Sequence, residues 1–321
     1  MSTRIADFVL RCSITVAAAC GSSSGTVCTS DDQCASHFCR ADGTCSPATT
    51  DAGDAGDAGD GSGSGSNVDG GTNALCVPNH DGMISANEVP LAADKMANYR
   101  IATGAIWSTQ GTASTGNTRT WSLTGALTND ADSAVTLDAP AGKWWAGDAG
   151  FATATYVTTL AKGSDLMGVF HVDSTGVTLL GVVSPNGGTG YTELVYTPPA
   201  RILAVPFGAS STWTSTSNVV GYATLSGATT YVNYTEKYVS NVDQTGTMAT
   251  PYGDFPVLRV GTVLTQFQTG FSPYYSVHSF AWIAECFGSV ATATAPSTTS
   301  ESSAVEFGNG SGDAEVRRLI P

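Results

Sequence analysis

The feature that most constrains the fold is a series of short runs, between residues 151 and 269, that are dense in Val, Thr, Tyr and Phe. Runs such as DLMGVFHV, GVTLLGVVS and FPVLRVGTVLTQFQT have the composition of β-strands, and turn signals such as Asn186-Gly187-Gly188 and Pro198-Pro199 separate them. The best helix candidate, residues 86–97, is interrupted by Pro90. The sequence therefore predicts an all-β or mainly β domain, built as a large curved antiparallel sheet, a half-barrel or a β-sandwich.

One of these runs, TTYVNYTEKYVSNV at residues 229–242, alternates with the period of a strand. One face carries Tyr231, Asn233, Thr235 and Lys237, and the other carries Val232, Tyr234, Glu236 and Tyr238. Because aromatic residues occur on both faces, we expect a strand that is covered on one side and partly exposed on the other.

The first twenty residues predict export. Arg4 and Arg11 precede a short apolar run, and three alanines then meet Cys20. A basic start, an apolar run and small residues are typical of an export signal, here residues 1–19. Small residues that end on a Cys also resemble a bacterial lipobox, in which the Cys is diacylated and becomes the new N-terminus. We expect a lipoprotein anchored through Cys20 in the bacterial cell envelope, at the outer membrane or outside the cell; a plain signal peptide is the alternative.

The region between the anchor and the β domain divides into three segments. Residues 20–27 form a tether and residues 28–45 a small cysteine-rich module. Residues 46–73 repeat Asp-Ala-Gly and contain no large apolar residue, so they cannot form a core and predict a disordered linker. The β domain then occupies residues 74–321. The formal net charge of −14 makes nucleic acid a poor partner.

Cysteine usage predicts disulfides. Cys12 leaves with the signal and Cys20 takes the lipid, so six cysteines remain in an exported chain. Four of them have the spacing C-x5-C-x4-C-x5-C: Cys28, Cys34, Cys39 and Cys45. Two bridges would hold this module, with three pairings open, and a zinc site is the rival interpretation. Cys76 and Cys286 are left, and a bridge between them would join the start of the β domain to a point near its end.

Residues 77–88 resemble the calcium loop of EF-hands and dockerins. Aligning Gly82 with position 6 puts candidate ligands at positions 3, 5, 7, 9 and 12: Asn79, Asp81, the Met83 carbonyl, Ser85 and Glu88. Position 1 is Val77, which has no side-chain oxygen. The pattern predicts weak calcium binding at most, and no other cofactor is expected. The alternative is a turn held by Asn79 and Asp81, with Glu88 opening a short helix.

Two family resemblances follow from longer segments. LMGVFHVDSTGVTLLGVVS, YTELVYTPPARILAVPFGASSTW and FAWIAECFGSVATA, with the cysteine cluster and the Asp-Ala-Gly linker, resemble a group of uncharacterised secreted proteins common in myxobacteria. That resemblance implies no known activity. More loosely, the domain is similar to envelope proteins built on one strongly curved sheet, such as the lipoprotein carriers of the LolA and LppX type. This second resemblance implies a concave face that carries an apolar ligand.

Five aromatic residues are candidates for ligand contact: Trp144, Trp145, Trp213, Tyr275 and Trp282. Packing in the core is the alternative for the last three. Adjacent loop residues such as Trp144 and Trp145 cannot both point the same way, so we expect one of the two to be exposed.

Motifs for catalysis are absent from the sequence. The only G-x-S-x-G match, residues 21–25, lies in the tether rather than at a strand-to-helix turn. Glu193, Glu236 and Glu285 lie in strand-like runs and could pair in space, as glycoside hydrolases require. We expect a non-catalytic protein that binds an apolar or lipid-like ligand. A surface-displayed adhesion or matrix protein that binds glycan or protein is the alternative, and an unrecognised hydrolase is the second.

Overall fold

A computed structural model describes residues 76–114, 118–225, 227–268, 273–297 and 315–321, which form short and long β-strands with two 3₁₀ helices. The strands are β1 Met83–Ile84, β2 Lys95–Thr103, β3 Thr112–Ala113, β4 Thr118–Ser122, β5 Ala131–Leu137, β6 Tyr156–Thr159, β7 Met167–Asp173, β8 Gly176–Val183, β9 Glu193–Ala204, β10 Phe207–Gly208, β11 Thr212–Leu225, β12 Ala228–Ala249, β13 Asp254–Gln268, β14 Pro273–Ala284, β15 Gly288–Thr294 and β16 Glu315–Leu319. The 3₁₀ helices are Ala86–Glu88 and Ala149–Phe151.

The expectations for residues 1–75 lie outside the described residues. They comprise the export signal at 1–19, the lipidated Cys20, the module at 28–45 and the linker at 46–73. The four module cysteines, Cys28, Cys34, Cys39 and Cys45, belong to the same group.

Twelve strands form one antiparallel sheet in the order β5-β2-β16-β15-β14-β13-β12-β11-β9-β8-β7-β6. A backbone bridge between Asp138, which follows β5, and Val157 in β6 brings the two ends of this order together. The sheet is therefore nearly closed on itself. The prediction of a mainly β domain with one large curved antiparallel sheet is confirmed.

The alternation predicted for residues 229–242 is confirmed in β12. Tyr234, Glu236 and Tyr238 are buried, whereas Tyr231 and Asn233 are exposed.

The buried face of β12 points to the inside of the curved sheet, and large side chains fill this interior. The inner face carries the buried residues Tyr156, Phe170, Tyr196, Tyr234 and Tyr238. A cavity of about 10 Å³ between β9 and β13–β15 has room for one water molecule.

Two chain segments cover parts of the outer face. Trp107 and Trp121 lie edge-on against Trp282 of β14, with ring centroids 5.3 and 5.7 Å away. On the opposite part of the sheet, Trp145 and Phe151 pack on a separate cluster formed by β6, β7 and β8. Apolar side chains are therefore buried on both faces of the sheet.

The best helix candidate, residues 86–97, does not form a helix along its length. Only Ala86–Glu88 is helical, as a single 3₁₀ turn, and β2 begins at Lys95. β2 pairs with β5 and β16 and buries Ala97, Tyr99 and Ile101 in alternation. Pairing on both sides of the strand thus overrides the local preference of the sequence.

The disulfide predicted between Cys76 and Cys286 is confirmed, with Cα atoms 5.5 Å apart. The Cys286 N–H also donates to the Glu88 carbonyl at 2.9 Å. These links fasten the N-terminal loop, residues 76–88, to the turn between β14 and β15. Within the described residues, no helix has the length and apolar character needed to cross a lipid bilayer.

Candidate functional site

The candidate site is a cleft at the point where β12 changes its neighbour. β11 pairs with β12 as far as Asn241, and the register then shifts between Val242 and Gln244. From Thr245 onward, β4 runs parallel to β12 on that same side. Because one neighbour leaves before the other begins, a gap opens beside Thr245 at this edge.

Gly246 permits β4 to approach β12. It pairs with Arg119, and a Cβ atom at position 246 would lie 1.8 Å from the Arg119 carbonyl oxygen. No side chain can be accommodated at that distance without moving the backbone of β4. The glycine is therefore a requirement of the parallel pairing that forms one wall of the cleft.

An ion pair between the buried Arg259 and the partly exposed Asp243 holds the irregular part of β12. The Arg259 guanidinium donates to both Asp243 carboxylate oxygens, at 2.9 and 2.7 Å, and to the Thr109 carbonyl at 2.6 Å. It also lies 4.2 Å from the centroid of the Phe280 ring. Arg259 is 1% exposed, so the Asp243 charge is neutralised by a fixed partner.

One half of the cleft has an apolar wall and a volume of about 510 Å³. Its wall comes from the N-terminal loop, β13 and β14, and its apolar residues are Met83, Ile84, Pro256, Val257, Leu258 and Ile283. The volume lies within the range of about 300–1,000 Å³ that is typical of small-molecule sites. Met83 is 40% exposed, so the apolar surface is accessible from solvent.

The other half is polar, with a volume of about 340 Å³ and lining residues that include Ser210, Asp243 and Gln244. The two halves share Thr118, Arg119, Ala209 and Thr245. Arg119 is half-buried, and its guanidinium has no ion-pair or hydrogen-bond partner among the described residues. The cleft is thus amphipathic, with a cation where its two halves meet.

The N-terminal loop uses its carboxylates for its own backbone. Asp81 accepts from the Met83 N–H at 2.7 Å, and Glu88 accepts from the Ser85 N–H at 2.8 Å. Asn79 accepts from the Asp81 N–H at 2.9 Å, and Ser85 and Glu88 form a capping box. The loop therefore forms a turn held by Asn79 and Asp81, as in the alternative interpretation, but the short 3₁₀ helix ends at Glu88 instead of beginning there. No group of three or more His, Cys, Asp or Glu side chains that could hold a metal occurs in the described ranges, and weak calcium binding stays a prediction.

A row of buried polar side chains crosses the inside of the sheet. Ser217, Glu236 and Gln266 are cross-strand neighbours on β11, β12 and β13, and they are 0%, 1% and 3% exposed. Tyr238 donates its hydroxyl to Glu236 Oε2 at 2.6 Å, but Glu236 Oε1, Ser217 Oγ and Gln266 Oε1 accept no hydrogen bond. Burial raises the pKa of Glu236 to about 7, although the hydroxyls of Tyr238 and Tyr196 oppose the shift. Glu236 therefore retains its proton in mildly acidic solution.

An exposed aromatic patch lies on the outer face, formed by Trp144, Tyr191, Tyr222 and Tyr231. Successive ring centroids are 5.5, 6.0 and 5.6 Å apart, and the rings meet edge-to-face or tilted. Trp144, Tyr222 and Tyr231 are 36%, 45% and 57% exposed. Trp144 lies in this patch, whereas its neighbour Trp145 is buried against Phe151.

The other candidate aromatic residues are buried. Trp213 donates to the Ile202 carbonyl at 3.3 Å, Trp282 is 0% exposed, and Tyr275 is 7% exposed on the inner face. None of the five aromatic candidates lines the cleft. Their role in ligand binding stays a prediction.

The carboxylates considered for hydrolysis are not brought together. Glu236 lies on the inner face of the sheet, whereas Glu193 lies on the outer face near Asp148, where burial and the Asp148 charge raise its pKa. Glu285 follows β14 at the cleft and accepts from the His80 N–H at 2.9 Å. These three side chains therefore do not form a facing pair.

Sequence reasoning missed Arg119 and the apolar wall at residues 256–258. No local pattern identifies them, because they meet through the parallel pairing of β4 with β12 across more than a hundred residues of sequence. Comparisons with family models, curated proteins and solved structures find no match for this chain. Function is therefore inferred from the geometry of the cleft.

Proposed function

We propose that this chain is an exported cell-envelope lipoprotein whose β domain binds an apolar or lipid-like ligand without catalysis. The cleft of about 510 Å³ beside β12, with its apolar wall, is the observation that carries the proposal. The ligand would lie against Val257, Leu258 and Ile283 and be held by exclusion of water.

The energetics of such a site are favourable for an alkyl chain. Each methylene group removed from water contributes about 0.8 kcal/mol, so eight of them contribute about 6 kcal/mol before the costs of association. The filled interior of the sheet supports the cleft rather than the concave face as the site, since Tyr196, Tyr234 and Tyr238 occupy that space.

The predicted lipid anchor at Cys20 and the linker at residues 46–73 give the proposal its location. An anchored domain on a linker would work near a membrane, where apolar ligands concentrate. The membrane, through the anchor, and the apolar ligand are the proposed partners.

A cleft-filling variant tests the proposal. Ala209 is exposed and lines both halves of the cleft, so Ala209→Phe would fill it without altering the core. Ala134→Phe, at an exposed alanine of β5 away from the cleft, is the matched control. Titration of the full chain with the uncharged fluorescent probe N-phenylnaphthylamine should give saturable binding that Ala209→Phe removes and Ala134→Phe retains.

Native mass spectrometry provides an independent readout. Oxidised protein isolated from a bacterial envelope fraction should carry an added mass of lipid size. Absence of both the added mass and saturable probe binding would contradict the proposal.

The exposed aromatic patch favours a second candidate function, display of a surface that binds glycan or protein. Trp144, Tyr222 and Tyr231 present large rings together with polar groups, a combination suited to recognition. Polysaccharide co-sedimentation with Tyr222→Ser/Tyr231→Ser, compared with Ala134→Phe, tests this candidate. Retention that depends on the two tyrosines, in a protein that does not bind the probe, would favour display.

A further inference from the structure

We propose that the ligand of the cleft is an amphiphile whose anionic head group binds Arg119 while its apolar chain lies against Met83, Val257 and Leu258. This inference rests on the proposed function, because it assumes that the cleft accepts an apolar ligand. It goes further by assigning the charge of the ligand and the residue that recognises it.

The position of Arg119 supports an anionic head group. Arg119 lines both the apolar and the polar half of the cleft, so a group bound there can extend a chain into the apolar half. A guanidinium binds carboxylate or phosphate oxygens through two parallel hydrogen bonds. Arg119 makes no ion pair within the described part of the chain, and its donors are available for such a ligand.

The other charged groups that face the cleft have fixed partners. Asp243 holds Arg259 with both carboxylate oxygens, at 2.9 and 2.7 Å. Glu285 accepts from the backbone N–H of His80, and the His80 ring lies 3.9 Å from it. Neither carboxylate pairs with Arg119, and Arg119 is therefore the cation that remains for a ligand.

The overall charge of the chain makes this arrangement selective. Asp and Glu number 27 against 13 Lys and Arg in the whole chain, partly because of the Asp-Ala-Gly linker, and this net negative charge disfavours an anion away from a cation. An anionic amphiphile would bind only where a cation offsets that repulsion. Thr245 and Ser210 line the polar half of the cleft together with Arg119, and their hydroxyl groups can donate to the same head group.

A free fatty acid and an anionic membrane lipid share this chemistry. We would therefore measure displacement of N-phenylnaphthylamine from the full chain by decanoate, by decanol, and by the two-chain lipid dihexanoylphosphatidylglycerol. Each titration would be repeated with Arg119→Gln and Arg119→Lys. Arg119→Lys keeps the charge but loses the two-pronged geometry.

We expect decanoate to bind the unaltered chain about tenfold or more tightly than decanol, as for a charged hydrogen bond. Arg119→Gln should abolish this preference and change decanol binding less than about twofold, and Arg119→Lys should restore part of the preference. Stronger displacement by the two-chain lipid than by decanoate would identify a membrane lipid as the source, and the reverse order would identify a free fatty acid.

Two outcomes would overturn the inference. If decanoate and decanol bind the unaltered chain equally, or if Arg119→Gln weakens both equally, Arg119 does not recognise a head group, although the cleft still binds apolar molecules. If the probe itself does not bind, the proposed function fails first, and the inference about Arg119 fails with it.

Discussion

The buried carboxyl group of Glu236 should make the stability of the domain depend on pH, and Glu236→Gln should remove that dependence. Glu236 has an ordinary pKa of 4.5 in the unfolded chain and a pKa of about 7 in the folded protein, mainly because of burial. Between these values the folded protein holds a proton that the unfolded chain has lost. Its stabilising contribution is complete below pH 4.5 and is lost as the pH rises through about 7.

The magnitude follows from the size of the shift. Each pKa unit corresponds to about 1.4 kcal/mol, so this group alone lowers the free energy of unfolding by about 3 kcal/mol between acid and neutral solution. Glutamine has nearly the same shape and stays neutral at every pH. Its amide can donate toward Ser217 or Gln266, whose side-chain oxygens lack partners. We therefore expect Glu236→Gln to gain about 3 kcal/mol relative to the unaltered protein from about pH 5 to about pH 8.

Urea unfolding followed by tryptophan fluorescence across this pH range would measure the difference. Glu193→Gln is the control, since Glu193 is a less buried carboxyl group on the outer face and should change the pH profile far less. Parallel pH profiles for the unaltered protein and Glu236→Gln would refute the reasoning, because they would mean that Glu236 ionises in the folded state as it does in the unfolded chain.

Three further perturbations follow from the structure. Gly246→Ala should lower the free energy of unfolding by about 1–3 kcal/mol in urea and weaken probe binding, since the new Cβ atom meets the Arg119 carbonyl; unchanged probe binding would contradict this. Cys76→Ser/Cys286→Ser should lower the free energy of unfolding by about 5 kcal/mol, because the bridge closes a long loop. Treating the unaltered protein with reductant should lower its free energy of unfolding by a similar amount. Arg259→Met should lower the free energy of unfolding by about 1–3 kcal/mol, because the partly exposed Asp243 loses its charged partner and the Thr109 carbonyl loses a donor. Adding Asp243→Asn should recover part of that loss if the ion pair is responsible.

Much of the fold could be predicted from the sequence because its signals are local. Alternation along residues 229–242 predicted a strand with one covered and one partly exposed face, and the structure places Glu236 on the covered face of β12. The run GVTLLGVVS is apolar at nearly every position, and the corresponding strand β8 is buried on both faces, one inside the sheet and one under Trp145 and Phe151. Cysteine parity, together with the expectation of export, was enough to predict the bridge between Cys76 and Cys286.

The remaining features depend on pairing between distant segments. Residues 95–97 belonged to the best helix candidate in the sequence, whereas their pairing with residues 135–137 of β5, a separate segment of the chain, makes them part of a strand. The candidate site is also non-local, because β4 joins β12 only where the register of β12 shifts beside Asp243. Neither Gly246 nor Arg119 lies in a recognisable sequence motif. Gly246 matters because it permits β4 to approach β12, and Arg119 reaches the cleft because β4 lies there.

The position of the cleft follows from where a nearly closed sheet can leave a cavity large enough for a ligand. A sheet of twelve strands could enclose a cavity, but Tyr156, Phe170 and Tyr196 and their neighbours fill its inner face. Regular pairing leaves no opening between strands, so space for a ligand must come from an irregularity. The register shift in β12 is such an irregularity, and the Asp243–Arg259 pair and the Cys76–Cys286 bridge stabilise its surroundings. A strand that exchanges one neighbour for another at such an irregularity is a physical basis for the ligand binding that we propose.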